Sequence, residues 1–305
     1  MSDHVVAPDQ VLTAPTRSRA VRGATTRRTA AEAGRPRRAS RKWILTVIGI
    51  LILCVMLFPV YWMLNISLQP AGPAIDAAWF PFHAQFSGYA HALADQGGNL
   101  VTSLLIAAGS VVLSLLIAAP ASYALAQLRI RGADTILFGI LIAQMIPGIV
   151  VANALYTAYN QLGLLNSVLG LVLADSTAGI PFAIIVMRAF MAGIPTSIIE
   201  AAKIDGAGNV RAFTAVVLPI SVNALVTAAL FTFLFTWSDF LFALTLTTTQ
   251  KIRPITLGIY QYIGTYTADW STVMATAVLA SLPAIILLVI AQRFIAAGAT
   301  GGAVK

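Results

Sequence analysis

Six stretches of this chain run for roughly twenty residues each with almost no charge, and lipid is the solvent that suits such segments. They cover Trp43 to Leu64, Leu100 to Ala119, Thr135 to Val151, Val168 to Met187, Ala215 to Phe235 and Val273 to Ala291. Bilayer hydrocarbon offers no partner to an open N–H or C=O, so a spanning segment closes its backbone hydrogen bonds within itself as an α-helix. The expected fold class is therefore all-α integral membrane, with six transmembrane helices. Composition agrees: 58% of the residues are hydrophobic and 10% charged, whereas a soluble domain carries about 25% charged residues. The third stretch is the shortest and is interrupted by Pro147 and Gly148. Pro59 and Pro283 lie in or near the first and last stretches, where a missing N–H kinks a helix.

The formal charge of +8 is concentrated at one end. Residues 1–42 hold ten of the 19 Lys and Arg, from Arg17 to Lys42, against Asp3, Asp9 and Glu32. This tail is rich in Ala, Thr, Ser and Pro, too poor in large apolar residues to fold, and is predicted to be disordered. Placed just ahead of Trp43, its charge reads as a cytoplasmic anchor that also attracts anionic headgroups, rather than as a nucleic-acid site. An Arg-rich, acid-poor transit peptide has the same composition; a secretory signal does not, because the run from Trp43 to Leu64 is too long. With the amino terminus inside, 17 of the 19 basic residues fall on the cytoplasmic side, and only Lys251 and Arg253 fall outside. Both termini are expected in the cytoplasm. The expected organisation is the tail over 1–42, a six-helix domain over 43–293 and a cytoplasmic carboxyl-terminal tail over 294–305. Cys54 is the only cysteine, which excludes an intramolecular disulfide.

Between the fourth and fifth spans, over about residues 194–219, the chain reads Ile194-Pro195-Thr196-Ser197-Ile198-Ile199-Glu200-Ala201-Ala202-Lys203-Ile204-Asp205-Gly206 and continues to Val216-Val217-Leu218-Pro219. Ser197 followed by Glu200 has the spacing of a capping box and predicts a helix start. Ala201, Ala202 and Ile204 give it a small apolar face, and Gly206 is a natural stop. A second helix is predicted from about Asn209 into span five, bent at Pro219. Residue by residue, Glu200 as a simple helix cap and the segment as an interfacial connector are equally good readings.

The spacing of the whole segment resembles the Glu-Ala-Ala signature of ABC importer permeases: Glu-Ala-Ala, three residues, Gly, nine residues, an aliphatic, one residue, Leu-Pro. Val216 stands where the family usually has Ile. Pro59, Trp62 and Ser67 resemble the family's first-span pattern, and Tyr123, Ala124 and Gly132 its first cytoplasmic turn. Gly163-Leu164-Leu165-Asn166 is similar to its outer loop, Trp237-Ser238-Asp239 to its Trp-Asn-Asp/Glu motif, and residues 298–305 to its carboxyl terminus. Ser238 departs from the usual Asn and Gln127 from a common Arg. The resemblance covers about residue 43 to the end and points to the maltose-type carbohydrate importers.

That resemblance implies a type I ABC importer permease fold in a bacterial-type inner membrane, with a coupling helix between helices four and five. It also implies a second permease subunit, a dimer of cytoplasmic ATPase subunits and an extracytoplasmic solute-binding protein. Glu200, Ala201, Ala202, Asp205, Gly206, Leu218 and Pro219 would form the ATPase-coupling segment, and Lys305 would reach the ATPase interface. ATP and Mg would sit on the partner: none of the four lysines follows a glycine, so this chain has no P-loop. No serine follows a glycine at nucleophile-elbow spacing, and His4, His83 and His91 are too scattered for a metal pair. No catalytic site or metal site is expected.

For the substrate path the candidates are Asp175, Asn223, Trp237 and Asp239. Asp175 is the one ionisable residue well inside a span, which marks it as functional by default; the alternative is that it hydrogen-bonds within the bundle beside Ser176 and Thr177. Packing explains Trp237 as well as sugar stacking does, and in this family one of the two permease subunits can supply most contacts. A competing reading is a secondary transporter or channel that needs no ATP, which usually shows several intramembrane charges or an internal repeat.

Overall fold

The computed structural model describes residues 37–128, 130–265 and 269–301. The basic tail up to Pro36, Arg129 and the last four residues, Lys305 among them, lie outside the described residues. Every element described is helical, and the chain divides at Val55/Met56 into two compact units. Helix α1 (Arg37–Ser67) carries Pro59 inside it and exposes its large apolar side chains from Trp43 to Phe58, a surface suited to lipid or to another apolar helix.

Beyond α1 the chain is tied down at once. The Asn65 amide donates to the carbonyl of Ala78 at 2.7 Å, and the Gln69 amide bonds both the N–H and the carbonyl of the same residue at 2.8 and 2.6 Å. Trp62 packs on Trp79 at 5.4 Å between ring centroids, and the Ser67 hydroxyl meets that of Tyr89 at 2.8 Å.

Helix α2 (Ser87–Gln127) has 41 residues. At a rise of 1.5 Å it is roughly 60 Å long, about twice the bilayer hydrocarbon. It outruns the apolar stretch from Leu100 to Ala119 at both ends, because a polar residue ends hydrophobicity without ending a helix.

The third apolar stretch is two helices, α3 (Ala133–Ala143) and α4 (Gly148–Leu162), bent by 89°. Pro147 causes the break: it has no N–H to give and pushes the residue before it out of the α region. The chain carries on as helix eleven residues past the expected end at Val151. Helix α5 (Val168–Met191) starts at Ser167, whose hydroxyl accepts the Gly170 N–H at 2.9 Å.

Next come α6 (Thr196–Ile204), α7 (Asn209–Ala212), a π-helical turn over Phe213–Val217, α8 (Leu218–Ile220) and α9 (Val222–Trp237). The bend of 78° in this fifth segment falls at Ser221 and not at Pro219. Pro219 lies inside the continuous helical run Asn209–Ile220, two residues past the π-helical turn, where it has no N–H to give to the preceding turn. Two further helices that the hydrophobicity pattern does not separate, α10 (Leu241–Leu246) and α11 (Ile255–Thr265), precede α12 (Trp270–Gly301). Helix α12 shows no break at the expected boundary after Arg293. Four helices are long and apolar enough to span a membrane, and the two bent pairs make six.

Helices α2 and α5 form the central pair. Ser110 Oγ donates to the carbonyl of Val172 and Ser122 Oγ to that of Ile184, with 62 positions between the partners in both cases. A constant offset means the two helices run parallel. The intervening chain therefore returns to its starting side, which makes α3 plus α4 a complete traverse despite the break.

Small residues let the pair approach: Ala107, Ser110, Ser114, Ala118 and Ser122 of α2 and Ala174, Gly179 and Ala183 of α5. A Cβ on Gly179 would lie 2.7 Å from Ser114 Oγ and 2.8 Å from Thr232 Cγ2, so α9 meets both helices at the same point. Gly179→Leu is expected to destabilise the protein by about 1–3 kcal/mol through overpacking, read as a lower melting temperature in detergent. Gly139→Leu on α3, with nothing within 4 Å of its Cβ, is expected to leave the melting temperature unchanged.

Candidate functional site

One end of the bundle carries the segment that the sequence singled out. Helix α6 begins at Thr196, with Pro195 as the residue before it, and no side chain caps its first amides. The capping box expected from Ser197 and Glu200 is therefore not formed. Pro195 takes the N-cap position two residues earlier, which leaves Ser197 inside the first turn. The exit matches the expectation. Gly206 adopts φ +86°, its N–H donates to Lys203 O at 3.0 Å, and the Ala207 N–H donates to Ala202 O at 2.9 Å. This is a Schellman close, and its left-handed position favours glycine.

One residue of α6 points inward: Ile199 is buried at the end of the core formed by Ala118, Tyr123, Met187 and Met191, joined there by Ala212 and Val217. The other apolar side chains point away. Ile204 is 87% exposed, Val210 is 77% exposed and Ala201 is exposed, and the carboxylates of Glu200 and Asp205 stand beside them. Leu218 is half-buried against that core and Pro219 is exposed. Behind α6 lies a cleft of about 410 Å³ lined by Gln127, Thr196, Glu200, Lys203 and Asn209. The Gln127 amide donates to the carbonyls of Met191 and Ile194 at 2.6 and 3.2 Å, which ties the end of α2 to the end of α5. Arg188 meets Asp134 at 3.2 Å; Asp134 is 94% exposed, so this pair is worth less than about 1 kcal/mol.

The substrate-path candidates separate. Trp237 is buried, donates from Nε1 to Ala280 O on α12 at 2.9 Å and stacks on Phe233, so it is occupied in packing. Asn223 lies in the first turn of α9, just past the bend, and is half-buried. Asp239 accepts the N–H groups of Phe242 and Ala243 at 3.3 and 3.1 Å and so caps α10. Asp175 is 7% exposed and has no hydrogen-bond partner among the described residues. The Ser176 and Thr177 hydroxyls beside it bond carbonyls of their own helix instead.

Mid-way along α5 an open groove of about 520 Å³ lies between the broken third segment and the end of α9. Its walls include Gln144, Phe182, Phe235, Ser238 and Asp239. The Phe182 ring lies 5.2 Å from Phe235 and 5.3 Å from Phe231, between centroids. Of these wall residues, the sequence pointed to Asp239 alone. Gln144, beside the Pro147 interruption, and the Phe231/Phe235 pair at i,i+4 were the available signals for the rest.

At the end opposite α6, Asn166 is the one non-glycine residue at positive φ, +57°, among the described residues. Its side chain accepts the N–H groups of Thr248 and Thr249 at 2.7 and 2.8 Å and donates to Thr248 Oγ1 at 2.9 Å. The loop ahead of α5 is thereby pinned to the loop after α10, a physical reason for an Asn at this place.

Comparison with known proteins gives this geometry a family. Residues 110–300 match the family described as binding-protein-dependent transport system inner membrane component. The chain is 32% identical over 263 residues to the diacetylchitobiose uptake system permease protein DasC of Streptomyces coelicolor, covering 85% of this chain and 95% of that one. It is also 32% identical over 271 residues to the trehalose transport system permease protein SugB of Mycobacterium tuberculosis, covering 88% and 99%. Its fold matches a chain of a bacterial ABC transporter involved in the import of the acidic polysaccharide alginate, with TM-score 0.71, 24% identity and coverage of 87% and 100%. A central parallel helix pair, two broken spans and the exposed helix before the fifth segment are thus set in a shared architecture, and the chain belongs to the binding-protein-dependent inner membrane components, a family of ABC transporter permeases.

Proposed function

We propose that this chain is one permease subunit of an ATP-driven sugar importer, that α6 is its docking point on a cytoplasmic ATPase subunit, and that both termini lie in the cytoplasm. The observation that carries the coupling role is the division of α6 into two faces. Ile199 is fixed in the core at the ends of α2 and α5, while Ala201, Ile204, Glu200 and Asp205 are presented outward. A push on the exposed face is transmitted through Ile199 to the two central helices without passing through a flexible joint. Small Ala201 permits close approach of a partner, and the carboxylates offer charge to basic groups there.

Two of the chain's relatives are named for the uptake of diacetylchitobiose and of trehalose. A second permease subunit, an ATPase dimer and a solute-binding protein complete the assembly in this proposal, with ATP and Mg on the ATPase and Lys305 near its interface. The match to the ABC permease family leaves the ATP-independent transporter without support. For the sugar path we favour the groove of Gln144, Phe182, Phe235 and Asp239. It combines aromatic faces with polar groups, the combination that fixes a ligand's orientation in a mostly apolar pocket.

Two sets of variants test these roles. Glu200→Arg and Gly206→Leu are each expected to abolish uptake while the protein still inserts, and the solubilised chain is expected to lose co-purifying ATPase. Gly206→Asn is expected to keep most uptake, because Asn tolerates the left-handed conformation and nothing lies within 4 Å of the position. Normal uptake by both disruptive variants would remove the coupling role. In the groove, Phe182→Ala is expected to lower uptake about tenfold, equivalent to ~1.4 kcal/mol, with Gln144→Ala acting in the same direction and ATPase co-purification unchanged. Wild-type uptake kinetics in both would place the path elsewhere.

A further inference from the structure

A small, partly enclosed cavity lies behind Asp239, where α2, α5, α9, α10 and the segment leading into α11 meet. Its volume is about 10 Å³, and its polar walls are Ser103, Asp175, Thr236 and Asp239. A space of this size is about the least that holds one water-sized occupant.

The oxygens around it are unequally satisfied. Asp239 has its two amide donors from α10. Ser103 Oγ accepts the N–H of Ile255 at 2.8 Å and keeps a second lone pair free. Thr236, 8% exposed, has its hydroxyl buried with no partner. Asp175 has no partner among the described residues either. The two unsatisfied groups stand on different helices and line the same space.

Charge decides the kind of occupant. Two carboxylates line one water-sized space, and a buried carboxylate left uncompensated is expensive. The other titratable groups nearby do not balance them. Tyr159 of α4 is close enough to interact with Asp175 but is a neutral phenol, α10 carries no charged side chain, and Arg253 before α11 forms no ion pair among the described residues. All donors are oxygen, which suits a hard cation and not a transition metal. The space is too small for the six to eight ligands of Ca²⁺ or for the water shell that Mg²⁺ keeps.

We propose that this cavity holds one small monovalent cation, Na⁺ or a proton shared between the two carboxyls, held by Asp175 and Asp239 with Thr236 and Ser103 completing its shell. The site has a consequence for transport. Asp239 lines both this cavity and the larger groove in front of it, so the cation behind Asp239 sets the charge that the groove presents. It also links α10 to α5 across the cavity.

The test is thermal stability of the full-length protein purified in detergent, a readout independent of sugar uptake. One titration replaces N-methylglucamine chloride by NaCl at constant ionic strength and pH; the other lowers the pH at constant Na⁺. A site that takes Na⁺ raises the melting temperature in the first, since a ligand bound to the folded state stabilises it by mass action. A site that takes a shared proton raises it in the second and leaves the first flat. In Asp175→Asn the response is expected to vanish. Thr236→Val keeps both carboxylates and should shift the midpoint of the response several-fold towards higher cation concentration, so it carries the test if the Asn variant does not fold. If wild type, Asp175→Asn and Thr236→Val respond identically in both titrations, the cavity takes a neutral water and the proposal fails.

Discussion

The close parallel contact of α2 and α5 is the element on which the rest of this structure depends. In lipid there is little hydrophobic drive between two apolar helices, so association rests on packing and on hydrogen bonds between them. Here both come from small residues. Gly179, Ser114 and Thr232 meet where a Cβ would not fit, and Ser110 and Ser122 bond carbonyls across the pair at the same offset. Because the two helices run parallel, everything joined to their ends is placed in register: α6 at one end, the loop held by Asn166 at the other.

A rigid centre gives the two broken segments their meaning. Backbone interrupted at membrane depth leaves polar groups open, and it is tolerated where it faces protein or a polar cavity. The break at Gln144–Pro147 borders the open groove, with aromatic rings of α5 and α9 on its other walls. The break at Ser221 lies on the other route, between the α6 segment and α9, with a π-helical turn just ahead of it. A wide turn followed by a bend is a natural place for a displacement of α6 to become a rotation of α9, and α9 ends at the groove and the small cavity behind Asp239.

Some of the site was legible because its causes are local. Gly206 closes α6 through contacts within six residues, and the apolar run lengths name the membrane spans without any partner. Other features had no local cause. The Ser197/Glu200 spacing suggested a capping box, but Pro195 started the helix two residues sooner. Trp237 left packing and sugar stacking open in the sequence, and it is packed in the structure because Ala280, 43 positions away, accepts its indole N–H. Asn166 is explained by Thr248 and Thr249, more than eighty positions on.

By itself, then, the sequence determined the solvent and the apolar segments that suit it, since both follow from counting residues along the chain. It also displayed the segment from Glu200 to Pro219 as a motif. Tertiary structure decided which polar side chains are satisfied. The sequence shows Asp175 inside a span and Asp239 after the end of one, but not which of them has donors. Only the folded chain gives Asp239 two amide donors and Asp175 none, because those donors belong to a helix that the hydrophobicity pattern does not reveal.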